Sequence, residues 1–115
     1  MDVDPGVARA VKSRAVHWAH LPPPFGYSPV CILSRSAALA VLTGITVVPI
    51  TRTVRHIRSE VAVGAAEGLE LDSVIACDNV QTIDRRTIDP EPVGMLSPTQ
   101  QRALDRALRY ALAIR

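Results

Sequence analysis

SPTQQRALDRALRYALAI, residues 97–114, carries its own start signal for a helix. Ser97 precedes Pro98 and stands three residues before Gln100, the pattern of an N-cap serine, a first-turn proline and a capping-box glutamine. Leu104, Leu108, Ala111 and Leu112 recur at i, i+4, i+7 and i+8 as an apolar stripe. Arg102, Asp105, Arg106 and Arg109 take the other face, and Asp105 four residues before Arg109 predicts an ion pair along it. One amphipathic helix cannot bury its stripe alone, so it must pack on a sheet. The short extended runs before it, joined by short connections, predict an α+β domain. Its core is a small, strongly curved antiparallel β-sheet or barrel, flanked by short helices and closed by this C-terminal helix.

Working outward, residues 15–21 (AVHWAHL) alternate Val16, Trp18 and His20 against His17, Ala19 and Leu21, a first strand that stops at Pro22, Pro23 and Pro24. The loop 22–27 is stiff at its prolines, permissive at Gly26, and carries Phe25 and Tyr27. Residues 29–33 (PVCIL) form a continuous apolar run, a strand buried on both faces with proline at its first position. Residues 34–42 read as a short helix with Ser34 or Ser36 as N-cap and Gly44 as its end. Residues 45–50 (ITVVPI) are β-branched, and Pro49 argues for an edge or bulged strand. Residues 60–63 alternate, 65–71 are a loop, 73–77 a strand, and 78–83 a second extended piece after a bend. Residues 84–92 connect onward with one helical turn at 85–88. Residues 1–13 form an N-terminal extension, with a short helix around Val7 to Val11, and residues 14–115 form the folded domain.

At 115 residues and 12.4 kDa the chain holds one hydrophobic core and no second domain. A hydrophobic share of 48% with 21% charged excludes a disordered tail or a fibrous repeat. The most apolar stretch, 36–50, is interrupted by Thr43, Gly44, Thr46 and Pro49 and is shorter than the roughly 20 residues a membrane helix requires. Residues 1–14 carry Asp2 and Asp4 and lack the apolar centre of a secretory signal, so a cytoplasmic location is expected. Cys31 and Cys77 lie in apolar runs without a second Cys or His at ligand spacing, which predicts buried reduced thiols and no metal. A net charge of +2 permits an anionic partner. Lys12 is the only lysine beside twelve arginines; guanidinium forks suit phosphate, although coding bias produces the same composition.

The densest polar group is TRTVRHIRS, residues 51–59, with three arginines, a histidine and three hydroxyl side chains just past a strand end. Arg52, Thr53, Arg55, His56 and Arg58 can hold a polyanion, and Thr51 or Thr53 can donate to a non-bridging phosphate oxygen. On RNA such a group is one step from chemistry. A base removes the 2′-OH proton, a cation stabilises the phosphorane, and an acid protonates the leaving oxygen. The plain alternative is a solvated arginine-rich loop. His17, His20 and His56 each titrate near neutrality, and on the first strand His17 and His20 point to opposite faces, either of them readable as a surface histidine. Asp78 and Asn79 can reach a base edge or simply form a turn. Ser28 has no acid or base partner at a nucleophile motif, which argues against serine hydrolysis.

Five stretches in order resemble the MazF/PemK family of toxin ribonucleases: 17–21 (HWAHL), 28–34 (SPVCILS), 47–51 (VVPIT), 72–84 (DSVIACDNVQTID) and 93–97 (VGMLS). The resemblance covers about residues 16–114. It implies an SH3-like curved sheet, a homodimer, a cognate antitoxin, and cleavage of single-stranded RNA without metal or other cofactor through a 2′,3′-cyclic phosphate. The family's strand-end threonine matches Thr51. Its arginine before the second-strand proline is Ser28 here, and the loop 22–27 is shorter than the family's and lacks its Ser-Glu-Gln-Gly character. His20 stands where an aspartate is common, and Asn79 replaces a glutamine after Asp78. The catalytic set implied is therefore Thr51 and Ser28 with Arg52, Arg55 or His20 supplying the missing cation, Arg14 being a further candidate. RNA contacts fall to Phe25, Tyr27, Thr53, His56, Asp78, Asn79 and Gln81, the two aromatics stacking a base. The antitoxin is expected as a short acidic or amphipathic tail over Thr51 and the arginines. The alternatives are a weak or inactive binder on the same fold, in the manner of the related gyrase poisons, and a general nucleic-acid-binding module, which a charge of only +2 disfavours.

Overall fold

Alternation along β1 (Ala15–His20) and the apolar run of β2 (Tyr27–Ile32) pair antiparallel, from Val16 opposite Cys31 to His20 opposite Tyr27. The structure is a computed structural model that describes residues 11–115, so the helix expected around Val7 to Val11 lies outside the described residues apart from Val11 itself. The turn between the strands is closed by Leu21 N–H donating to Gly26 O at 2.8 Å, with Gly26 at a φ of 63° that favours glycine. β2 starts earlier than expected, so Pro29 is its third residue, opposite Trp18.

β3 (Gly44–Thr51) is the central strand, not an edge. One side pairs with β2 through Val47–Pro49. The other pairs with β6 (Gln81–Asp84) over Gly44–Val47 and with β5 (Ser73–Ala76) at Ile50 and Thr51. Pro49 falls in the gap between these two partners, where that side has no ladder bond for a missing N–H to break. A proline is tolerated in the central strand because neither β6 nor β5 pairs with it on that side.

β4 (Glu60–Val63) adds to β5, and β7 (Gly94–Met95), unpredicted as a strand, adds to β1. The result is one seven-stranded, curled antiparallel sheet in the order β4-β5-β3-β2-β1-β7, with β6 also on β3. Single 3-10 turns occupy Ala65–Glu67, Cys77–Asn79 and Arg85–Thr87, the last where one helical turn was expected. Gly68 and Gly94 let β7 close on the first of these turns. A Cβ on Gly94 would lie 2.0 Å from Glu67 O, and one on Gly68, at φ 84°, would lie 1.9 Å from Val93 O.

The expected helix over 34–42 shortens to α1 (Ser36–Leu39), and neither serine caps it. Ser34 Oγ instead accepts Thr46 N–H at 2.8 Å, and Gly44 opens β3 rather than ending the helix, because the chain must turn back into the sheet at once. α2 (Pro98–Ala111) has the full capping box, with Ser97 Oγ accepting Gln100 N–H at 3.1 Å and Gln100 Oε1 accepting Ser97 N–H at 3.0 Å. Leu104 and Ala107 are buried and Leu108 and Ala111 pack beside them, whereas Leu112 lies past the last turn and is exposed. Asp105 pairs with Arg14 at 3.2 Å rather than with Arg109.

The sheet carries a core on each face. One gathers Val16, Cys31, Val48, Ile50 and Ile75 under Leu104 of α2; the other gathers Ala19, Val30, Ile32, Ile45, Val47 and Leu39. The apolar run of β2, expected to be buried on both faces, is buried within one chain at Val30, Cys31 and Ile32. Cys31 and Cys77 are free and buried, and burial pushes their thiols up to about 12 and about 11. No helix among the described residues is long and apolar enough to cross a membrane.

Candidate active-site cleft

A cleft of about 560 Å³ opens where β1 and β2, the end of β3 and the segment following the 3-10 turn at Ala65–Glu67 converge. Thr51, Arg52, Ser28 and Tyr27 line it, with Trp18, Glu70 and Ser73. Thr51 is half-buried at the last position of β3, and its Oγ1 accepts Thr53 N–H at 3.1 Å. With one lone pair taken, the hydroxyl proton is free to donate to a ligand oxygen. Ser28 donates its own proton to Phe25 O at 2.7 Å, so it braces the β1–β2 turn and contributes no charge.

Two rings line the cleft as well. Trp18 and Tyr27 stack with centroids 5.1 Å apart and planes inclined by 27°, and His20 lies against Tyr27 at 4.5 Å. The Tyr27 hydroxyl donates to the Asp89 carboxylate, and that bond raises the phenol pKa, so Tyr27 stays protonated. Asp89 N–H also donates to Trp18 O at 2.8 Å, anchoring the 89–93 segment beside these rings.

The remaining sequence candidates go elsewhere. His20 stands behind Tyr27, outside the cleft lining. Phe25 is half-buried, packs against the second core and does not line the cleft. His17 is buried, not on the surface. Its Nε2 accepts Lys12 N–H at 3.4 Å, so Nδ1 carries the proton and donates to Asp89 O at 2.9 Å; desolvation lowers its pKa.

Glu60 folds the arginine-rich loop away from the cleft after Arg52. Its carboxylate accepts Arg55 N–H and His56 N–H, each at 3.0 Å, and His56 lines a separate groove beside β4. Asp78 Oδ2 accepts the Ser59 hydroxyl at 2.5 Å, which fastens the end of that loop, and Gln81 Nε2 donates to Asn79 O at 3.5 Å; none of these lines the cleft. Arg14 is held by Asp105. Of the basic candidates, the structure therefore brings only Arg52 to Thr51. Sequence patterns missed Glu70, the one carboxylate lining the cleft among the described residues, because it lies in a connection with no local signal.

The sequence profile described as PemK-like, MazF-like toxin of type II toxin–antitoxin systems matches residues 12–112. A Mycobacterium tuberculosis protein named endoribonuclease MazF3 is 43% identical over 83 residues, 72% of this chain and 80% of that protein. The solved Mycobacterium tuberculosis toxin MazF-mt6 superposes with a TM-score of 0.82 at 39% identity, over 89% of this chain and 99% of that one. A mycobacterial endoribonuclease solved in complex with its cognate antitoxin shares the fold, with a TM-score of 0.79 at 23% identity over 91% of this chain and 97% of its own.

Proposed function

Because the chain belongs to the PemK-like, MazF-like toxin family, we propose that it is a toxin endoribonuclease that cuts single-stranded RNA by attack of the 2′-OH on the adjacent phosphate. The observation that carries this reading is that Thr51 and Arg52 line one cleft together with a Trp18–Tyr27 stack. A nucleotide stacked on Tyr27 sets its phosphate toward the β3 end. The Thr51 hydroxyl donates to a non-bridging oxygen, and the Arg52 guanidinium stabilises the charge that grows on the phosphorane. Glu70 is the carboxylate that lines the cleft, and it takes the 2′-OH proton. The O2′–P bond forms, the P–O5′ bond breaks to leave a 2′,3′-cyclic phosphate, and solvent at the open mouth protonates the departing oxygen. Arg52 thereby fills the role of the arginine that Ser28 displaces.

Hydroxyls, one guanidinium and one carboxylate make a poor donor set for a divalent cation, which favours a reaction without metal. As a type II toxin the protein acts in the cytoplasm under the control of an acidic or amphipathic antitoxin tail lying over Thr51. It assembles as a homodimer, for which the exposed Val41 and Leu42 after α1 offer an apolar surface.

Purified chain incubated with a long single-stranded RNA in EDTA, with the 5′ ends of the fragments mapped, tests the reading. Discrete cuts that vanish with Thr51→Ala are expected. A folded, antitoxin-free protein that leaves the RNA intact overturns the enzyme reading in favour of a non-catalytic binder.

A further inference from the structure

The C-terminal end of α2 gathers a second basic surface that the cleavage chemistry does not use. Arg106, Arg109 and Tyr110 fall at i, i+3 and i+4 on one helix face. The turn that ends the helix brings Arg115 back beside them: Ala113 N–H donates to Tyr110 O at 3.2 Å and Ile114 N–H to Arg109 O at 2.8 Å, with Ala113 at a φ of 55°. Arg58 arrives from the loop after β3 and lays its guanidinium over the Tyr110 ring, 4.4 Å from the centroid. Together they line a shallow depression of about 540 Å³.

Four arginines share this surface in a chain whose net charge is only +2. Among the described residues none of the four pairs with a carboxylate, and the helix's own Asp105 is taken by Arg14 at 3.2 Å. Guanidinium groups crowded without counter-charge repel one another, and a bound polyanion relieves that repulsion. Arg58 and Arg52 are near opposite ends of one loop, so the depression and the Thr51 cleft are joined by continuous chain. The half-exposed Tyr110 ring adds an aromatic surface of the kind on which bases stack.

We propose that Arg58, Arg106, Arg109 and Arg115 hold the phosphodiester backbone of single-stranded RNA outside the cleavage cleft, anchoring the strand that the cleft cuts. This rests on the RNA reading above. A strand supplies one charge per nucleotide at a spacing that several guanidinium forks can meet, and the Tyr110 ring offers a base a stacking surface. Both favour RNA over an acidic peptide.

Fluorescence anisotropy over a salt series tests it, using the unaltered chain and a labelled, random-sequence 2′-O-methyl RNA of about 20 nucleotides, longer than a usual site on one small domain. That probe lacks the 2′-OH and cannot be cut. Arg106→Gln/Arg109→Gln is expected to weaken binding about tenfold at low salt and to flatten the log–log salt dependence by about 1.4, from two lost contacts at about 0.7 each. Arg58→Gln, tested alone, is expected to shift the slope in the same direction by about half as much. Unchanged affinity and slope in the double variant, or no binding by the unaltered chain, overturns the proposal. The same variants are titrated with a glutamate-rich peptide, and loss of peptide binding with RNA binding intact overturns it in favour of an acidic protein partner. The cleavage assay stays separate. Binding that depends on the arginines in a protein that never cuts sinks the enzyme reading alone, and cutting with arginine-independent binding sinks the anchor alone.

Discussion

Thr51 Oγ1 accepts the backbone N–H of Thr53 at 3.1 Å. That bond ties the last side chain of β3 to the loop that follows it and fixes which way the hydroxyl proton can point. It also sets Arg52, the residue between, beside the cleft. The first loop residues after a central strand thus become a donor and a cation facing one phosphate position.

Removing that donor should be costly to rate and cheap to stability. Thr51→Ala is expected to lower kcat by about a hundredfold or more, the scale seen when one transition-state donor is lost. Thr51→Ser keeps both hydrogen bonds and should retain most of the rate. Single-turnover cleavage of a mapped RNA measures both, and equal rates for the alanine and serine variants would remove Thr51 from the chemistry.

The arginines of the loop should separate sharply. Arg52→Ala is expected to lose activity on the same scale as Thr51→Ala, since it removes charge from the developing phosphorane. Arg55→Ala should change the short-RNA rate less than about threefold, because Glu60 holds that stretch of backbone away from the cleft. An Arg55 effect as large as that of Arg52 contradicts the arrangement.

Stacking should appear in KM. Tyr27→Ala removes a ring on which a base can stack, a loss of about 1–3 kcal/mol of binding. Tyr27→Phe retains the ring over Trp18 and gives up the bond to Asp89, so its KM should stay close to the parent value. Steady-state kinetics of the pair decide the point, and a phenylalanine variant as impaired as the alanine one would assign the role to the hydroxyl.

Acid should loosen the domain through His17. Burial lowers its pKa in the folded chain below the ordinary 6.5, so the unfolded chain binds the proton more readily. Stability is then highest above about pH 6.5, falls as the pH drops through the unfolded value, and levels off below the folded one. Protonation would also break the Lys12 N–H bond to Nε2. Urea unfolding at stepped pH, compared with His17→Gln, checks this; the difference between the two proteins should shrink as the pH falls.

The glycine at the β7 junction should tolerate no side chain. Gly94→Ala places a methyl 2.0 Å from Glu67 O, so the 65–68 turn must move, and with it the Glu70 wall of the cleft. A loss of about 1–3 kcal/mol is expected, together with weakened cleavage. Thermal unfolding and the RNA assay should both report it, and an unperturbed Tm would show that the junction yields freely.

The sequence by itself determined part of what depends on near neighbours along the chain, though neither the cap of α1 nor an Asp105–Arg109 pair. The capping box at Ser97 and Gln100, the stripe at Leu104 and Leu108 and the β-branched run of β3 follow from short-range periodicity and cap chemistry, while Thr51 as the strand-end residue comes from the family resemblance. Only the tertiary structure decided what meets across the fold. It made β3 central by pairing β2 on one side and β5 and β6 on the other, brought Glu70 from a featureless loop to the Thr51 cleft, and stacked Trp18 on Tyr27. It also withdrew Arg55 and His56 behind Glu60, packed Phe25 against the core, and fastened Asp78 to Ser59. Chain periodicity specifies which face of an element is apolar. Which polar side chains share a cleft depends on the curl of the sheet and on hydrogen bonds between residues far apart in sequence, and no local pattern encodes those.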